Sequence, residues 1–350
     1  MNFTPNLVRA QFRALQQSHN DLPVMFLDGP GGSQVPNCVL EAMTAYLGFF
    51  NSNLGGHYLS SAHTTDLMKQ ARESAKTLVN AESSDNIVFG ANMTSLTFQL
   101  SRAISRNWRA GDEIIVTSLD HYSNVSSWQQ AADDKQAKVL QARVNEQDCS
   151  LDIEHLLSLI SPRTKLVALT YASNTTGSVV DVKRVVEAAH NVGAMVYVDA
   201  VHYAPHHLVD VQQLGCDFLA CSAYKFFGPH VGIAYVAPKW LQALQPYKVE
   251  PATNIGPGRF ETGTQSFEGL AGVIAAVKYL AQWGNDGDDL RTRLIDSFQQ
   301  FNQHESAISE RFLARLAELE GVTLLGRDEA NSEVRTCLLY TSPSPRDRFL

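Results

Sequence analysis

An α/β protein built on a mostly parallel, doubly wound sheet is the fold this sequence predicts, and three observations carry the expectation. Between residues 86 and 236, short apolar runs rich in β-branched and aromatic residues alternate with segments of helical periodicity. That alternation is how βαβ crossovers build a parallel sheet. The runs end in small or polar residues, and strand ends of that kind are where parallel sheets bind ligands. A chain of 350 residues is also long enough to bury a large core and to divide into two domains.

Each element follows from local pattern. Pro5–Ser18 places Leu7, Val8, Phe12 and Leu15 at helical spacing and predicts an amphipathic helix. Met25–Leu27 reads as a short strand leading into the glycine cluster Asp28–Ser33. That cluster fits neither GxGxxG nor GxxxxGK[ST], so a backbone turn explains it better than a phosphate loop. Pro36–Phe50 and Thr65–Asn80 read as helices, separated by a polar loop over Asn51–His63. Strands are expected at Asn86–Gly90, Glu113–Ser118, Lys138–Val144, Lys165–Tyr171, Met195–Val198 and Asp217–Cys221. The intervening helices are Thr94–Trp108, Asn124–Asp133, Ile153–Ile160 and Val182–Asn191. Gly232–Val236 fits an edge or antiparallel strand. Gly269–Trp283 is a strongly apolar helix, and residues 284–287 break it. Leu290–Glu320 reads as a long helix and Val322–Leu325 and Glu333–Thr336 as strands, the opening of a smaller α+β domain.

The expected organisation is an N-terminal arm (1–25), a large domain (26–284), the start of a small domain (285–336) and a segment, 337–350, that is set apart. That last segment is a Ser/Pro stretch without periodicity, similar to the translation of a sequencing-library adapter, and is excluded from fold reasoning. The natural chain is expected to continue past Thr336, and a chain cut short there is expected to be inactive.

Composition narrows the function. A net charge of −8 argues against nucleic acid as a partner and favours small solutes. Five cysteines without CxxC spacing suggest neither a disulfide framework nor a zinc site. No run approaches the ~18 apolar residues of a membrane span, and the N-terminus lacks the pattern of a signal peptide. A cytoplasmic, soluble protein is expected.

The chemistry concentrates around two runs. Asp199 follows the first, and Ser222 and Lys225 follow the second. An amine and a carboxylate on neighbouring strand ends are what a carbonyl cofactor with a basic ring nitrogen requires. The lysine can form a Schiff base, and the aspartate can hold a pyridinium proton. Four further strand ends carry polar groups. Asn92, Met93 and Thr94 open a helix, where N–H groups and the Thr94 hydroxyl can hold a phosphate or serve as a plain cap. His121 can stack on an aromatic ring or simply bond near a turn. Asn174 can donate to a cofactor oxygen or shape a turn. Thr264, in a glycine-rich loop, can offer its hydroxyl to a phosphate or cap the next element.

The succession GANMTS, DHYSN, SNTTG, VDAVH, SAYK and FETGT resembles the class V family of pyridoxal-phosphate (PLP) enzymes, over about Phe26–Gly272. Asp28–Gly32 and Asn53–Tyr58 are similar to the DGPGG and NLGGHY segments of its cysteine desulfurase-like members. The resemblance implies the fold type I architecture of PLP-dependent transferases and a homodimer. It implies Lys225 as the Schiff-base lysine, Asp199 as partner of the pyridine nitrogen and His121 as the stacking ring. Asn174 would contact the ring hydroxyl. Thr94 and Ser222 would bind the phosphate, and Thr264 would do so across the dimer interface. His202 stands where a glutamine usually contacts the cofactor, and Tyr224 where a histidine usually precedes the lysine. The substrate would be a small amino acid, with the bond that breaks left open.

Three other assignments compete. A catalytically silent scaffold of the same fold would not require Lys225 and Asp199. A nicotinamide-dependent dehydrogenase would need GxGxxG after a strand, and none is present. His202, His206 and His207 could ligate a metal, but they lack helical HxxxH spacing, and no metal is expected.

Overall fold

The computed structural model describes residues 3–285, 287, 289–336 and 338. The elements run α1 (Pro5–Arg9), β1 (Ser18–His19), β2 (Leu22–Pro23), α2 (Asn37–Phe49), α3 (Leu59–Val79), β3 (Ile87–Gly90) and α4 (Met93–Ile104). Next come β4 (Glu113–Thr117), α5 (Ser126–Asp133), β5 (Lys138–Ala142), α6 (Ile153–Leu159), β6 (Thr164–Thr170), α7 (Val182–Asn191), β7 (Met195–Asp199), α8 (Val211–Leu214) and β8 (Phe218–Ser222). β9 (Gly232–Val236), α9 (Pro238–Ala243), α10 (Phe267–Ala281) and α11 (Leu290–Ala317) complete the described chain.

Seven strands form the central sheet in the order β3-β9-β8-β7-β6-β4-β5. β5, β4, β6, β7 and β8 are mutually parallel, while β9 runs antiparallel to both β8 and β3. The sheet is therefore mostly parallel, as expected. β9 is not at the edge, however: it lies inside, between β3 and β8. Its direction follows from the short link after β8, because residues 223–231 are too few for the crossover that a parallel return needs. Two antiparallel steps make β3 parallel to β8, so the start of α4 lies at the same end of the sheet as Ser222.

Both sheet faces are covered, which is why the strands read as continuous apolar runs. Phe89, Val167, Leu169, Val196, Val198 and Leu219 pack on one side with α3, α7 and α10. Val88, Ile114, Val116, Ala168, Tyr197 and Phe218 pack on the other with α4 and α5.

Four expectations are corrected. The N-terminal helix spans only Pro5–Arg9, followed by a 3-10 turn at Arg13–Gln16. Phe12 leaves the helix because its ring is buried edge-on against Phe227 and Tyr279. Met25–Leu27 is not a strand; Met25 and Leu27 are exposed, and the strand pairing just before them joins β1 to β2. α3 starts at Leu59, not Thr65, because Ser61 and Thr64 face inward: Ser61 Oγ accepts from Gly56 N–H (2.7 Å), and the Thr64 and Tyr46 hydroxyls are 2.9 Å apart. Val322–Leu325 forms no strand, and Glu333–Thr336 contributes only a bridge between Arg335 and Ser178. Of the segment set apart as foreign, only Leu338 falls within the described residues.

Candidate active site

The parallel register brings the key strand ends together. Asp199 closes β7, opposite Thr170 of β6 and Ala220 of β8. Ser222 closes β8, and Lys225 follows in the turn Ala223–Lys225. A cavity of about 270 Å³ opens over these ends. Asn92, Met93, Thr94, His121, Asn174, Asp199, His202, Ser222, Tyr224 and Lys225 all line it. Thr264 does not; it is exposed and lies beside Gly90, Ala91 and Ser95, on the outer side of the α4 terminus.

Asp199 is 4% exposed, and its Oδ1 accepts a hydrogen bond from Val201 N–H at 2.9 Å. Burial pushes its carboxyl up to about 6, while that N–H and the Lys225 charge pull the other way. Lys225 is half-buried, and desolvation lowers its ammonium pKa against the attraction of Asp199. Its Nζ donates to Pro30 O and lies 4.9 Å from the Tyr224 ring centroid. The amine is thus held at the cavity, and it forms no ion pair among the described residues.

At the α4 terminus Asn92 is the cap: its Oδ1 accepts from Ser95 N–H at 2.8 Å, and Ser95 Oγ returns to the Asn92 backbone. The N–H groups of Met93 and Thr94 and the Thr94 hydroxyl have no acceptor among the described residues. They form an open, positively polarised donor set. Gly232 makes the approach possible, since a Cβ there would lie 2.4 Å from the Asn92 carbonyl carbon.

His121 caps the turn Tyr122–Asn124; its Nδ1 accepts from Ser123 N–H at 3.2 Å and lies 2.7 Å from Ser123 Oγ. Asn174 sits in a loop braced by Ser173 Oγ, which accepts from the N–H groups of Thr175 and Thr176. Tyr224 stacks on His230 with centroids 5.0 Å apart. His202 is 6% exposed; its Nε2 is 3.0 Å from Thr336 Oγ1, and burial drives its pKa well down.

Several wall residues escape sequence reasoning. The Asp28–Ser33 cluster is the turn expected of it, yet it also packs on the lysine loop. Ser33 N–H and Oγ donate to Tyr224 O at 2.9 Å, and Phe227 N–H donates to Ser33 Oγ at 2.7 Å. Phe227 itself holds a left-handed backbone (φ 70°), a strain placed two residues after Lys225. Asp120 is buried behind His121, bonded to the Thr117 hydroxyl and to Asn124 Nδ2, and pushed up to about 8 by burial and by Asp199. The DHYSN string held that signal in its first residue.

His202, His206 and His207 do not gather ligands: no group of three His, Cys, Asp or Glu able to hold a metal occurs among the described residues. His206 instead pairs with Glu305 at 2.9 Å. None of Cys38, Cys149, Cys216 or Cys221 lines the cavity, and burial raises the thiol pKa of the last two. No described helix is long and apolar enough to cross a membrane.

An α/β sheet whose strand ends bring an amine, a buried carboxylate and an open helix terminus to one cavity defines a pyridoxal-phosphate-dependent enzyme, and the donor set fits that group. The chain belongs to the aminotransferase class V family, which it matches over residues 25–342. It is 33% identical over 334 residues to a "Probable cysteine desulfurase" from Halalkalibacterium halodurans, covering 91% of this chain and 79% of that one. The crystal structure of the cysteine desulfurase CsdA from Escherichia coli superposes with a TM-score of 0.79 at 28% identity, covering 94% of this chain and 82% of that one. A C-DES mutant with glycine covalently linked to its PLP cofactor shares the fold, with a TM-score of 0.78 at 23% identity over 93% of this chain and 84% of that one.

Proposed function

We propose that this enzyme acts on the α-amino group of a small amino acid, in the manner of cysteine desulfurases, as a cytoplasmic homodimer. The observation that carries the proposal is the convergence of Lys225, Asp199 and the open terminus of α4 on one cavity. When bound, PLP supplies a ring that draws electrons from the substrate Cα. The residues divide the remaining work. The N–H groups of Met93 and Thr94, with the Thr94 and Ser222 hydroxyls, hold the phosphate at the positive end of α4. His121, its ring fixed through Ser123, stacks on one face of the cofactor. Asn174 and His202 address the ring hydroxyl, and Tyr224 forms the wall beside the lysine. Asp199 holds a proton on the ring nitrogen; a buried carboxylate otherwise inclined to protonate is stabilised by a cation beside it. Lys225 would hold the cofactor through Nζ and, once the substrate amine had displaced that nitrogen, would be the base that takes or returns the Cα proton.

Sulfur transfer would need a thiol at the cavity, and none of the four described cysteines stands there. The bond broken after proton removal is therefore left among lyase and transferase outcomes. Free cysteines suit a reducing compartment. Thr264, exposed beside Gly90, Ala91 and Ser95 rather than in the cavity, would contribute its hydroxyl to the phosphate site of a second copy in the homodimer.

The test is spectroscopic. Purified protein given PLP should develop a visible absorption band that borohydride abolishes, and Lys225→Ala should show neither. Incubation with L-cysteine, L-alanine and a keto acid then sorts the reaction. A wild-type protein that never takes up PLP ends the proposal.

A further inference from the structure

His202 is held by a residue far along the chain. Its Nε2 lies 3.0 Å from Thr336 Oγ1, and Thr336 is fully buried. Thr336 also bonds the loop that carries Asn174: its N–H donates to Gly177 O at 2.8 Å and its hydroxyl to the same oxygen at 3.2 Å. A hydroxyl has one proton to give. Given to Gly177 O, that proton leaves Oγ1 as acceptor and makes His202 the donor. The reverse assignment would set two bare oxygens facing each other at 3.2 Å. Nδ1, by contrast, makes no hydrogen bond to the described residues, and His202 lines the cavity. Gly177 secures the contact from the other side: with φ 73°, it approaches so closely that a Cβ would lie 3.0 Å from Thr336 O and Oγ1.

We propose that Thr336 is a positioning residue that fixes His202 as its Nε2–H tautomer, so that His202 offers the cavity a hydrogen-bond acceptor at Nδ1. The groups facing that ring are His206, 5.1 Å away between centroids, and the charges of Lys225 and His207, all of which disfavour a second proton. An acceptor there takes a hydrogen bond from a hydroxyl or a protonated amine of the bound cofactor or substrate. An amide side chain at this position would be able to donate or accept. The proposal rests on the cavity being the PLP site for its consequence, but not for its geometry.

The tautomer is measurable without cofactor. In protein carrying ¹⁵N-histidine, two-bond ¹H–¹⁵N correlation separates the two tautomers, and His202→Gln identifies the His202 signals by their loss. We expect a single Nε2–H pattern in cofactor-free wild type, retention of it in Thr336→Ser, and loss of the single tautomer in Thr336→Val. An Nδ1–H pattern or a mixture in the wild type overturns the proposal, as does an unchanged His202 pattern in Thr336→Val. The wild-type spectrum decides the tautomer even if the valine variant fails to fold. Failure of PLP uptake, read separately from the visible band, would instead count against the cofactor site.

Discussion

Replacing Gly232 by alanine should cost both stability and cofactor affinity, in proportions the geometry dictates. The new Cβ would stand 2.4 Å from Asn92 C, 2.6 Å from Asn92 O and 2.8 Å from Met93 N. Comfortable contacts are ~3.5–4.0 Å, so about 1 Å of movement is required. All three atoms are backbone, so no side chain can swing aside, and the helix terminus itself must retreat from the sheet. Overpacking of this kind costs about 1–3 kcal/mol. Met93 and Thr94 N–H move with it, and losing one charge-assisted bond to a phosphate costs roughly 1.5–3 kcal/mol. That is a roughly 10- to 150-fold weaker PLP dissociation constant. Gly272→Ala is the control. Its Cβ would meet Pro229 Cγ and Met43 Cγ at 2.9 and 3.0 Å, within the packing of α10 and away from the cavity. It should lower stability without touching affinity. Spectrophotometric PLP titration and urea midpoints separate the two. Wild-type affinity in Gly232→Ala, or equal loss in both variants, would refute the placement of the phosphate on α4.

Three further outcomes are expected. Asp120 has a folded-state pKa of about 8, above its ordinary 3.8; its stabilising share is complete below the unfolded value and is lost as pH rises through the folded one. The stability of Asp120→Asn relative to wild type should therefore climb between pH 4 and 8, by at most about 1.4 kcal/mol per pH unit, and a pH-independent difference in urea midpoints would contradict this. Glu261 accepts from Arg72 at 2.8 Å and from Phe89 N–H at 2.9 Å, with both charged side chains nearly buried. Glu261→Ala should cost ~3–5 kcal/mol by stranding Arg72; a loss under 1 kcal/mol in chemical denaturation would show the pair to be idle. Thr264→Ala should weaken PLP binding roughly tenfold, as expected for one lost bond to phosphate, with the protein sedimenting as a dimer; a monomer with unchanged affinity would remove Thr264 from the site.

The sheet was legible where its physics is local. α7 spans the residues expected because Asp181 caps it and Val182, Val185, Val186 and Ala189 repeat at helical spacing on its buried face. Asp199 and Lys225 were legible together because each follows an apolar run, and adjacency of sequential parallel strands did the rest. The lysine's neighbours were not. Pro30 reaches Nζ from 195 residues away and Thr336 reaches His202 from 134, and no periodicity marks either. The start of α3 was hidden because Ser61 and Thr64 are polar yet buried, their hydrogen bonds invisible to a hydropathy pattern. β9 showed its residues but not its place, which depends on β3 finding it across the molecule.

That last pairing orders events during synthesis. Among the described residues β3 has no strand neighbour other than β9, so residues 87–90 wait for residues 232–236 before they join the sheet. At ~5–20 residues per second on the ribosome, the delay is roughly 7–30 s. Until then the α4 terminus lacks the Gly232 backbone it packs against, and the Met93 and Thr94 N–H groups are not yet fixed beside the strand ends that carry Asp199 and Ser222.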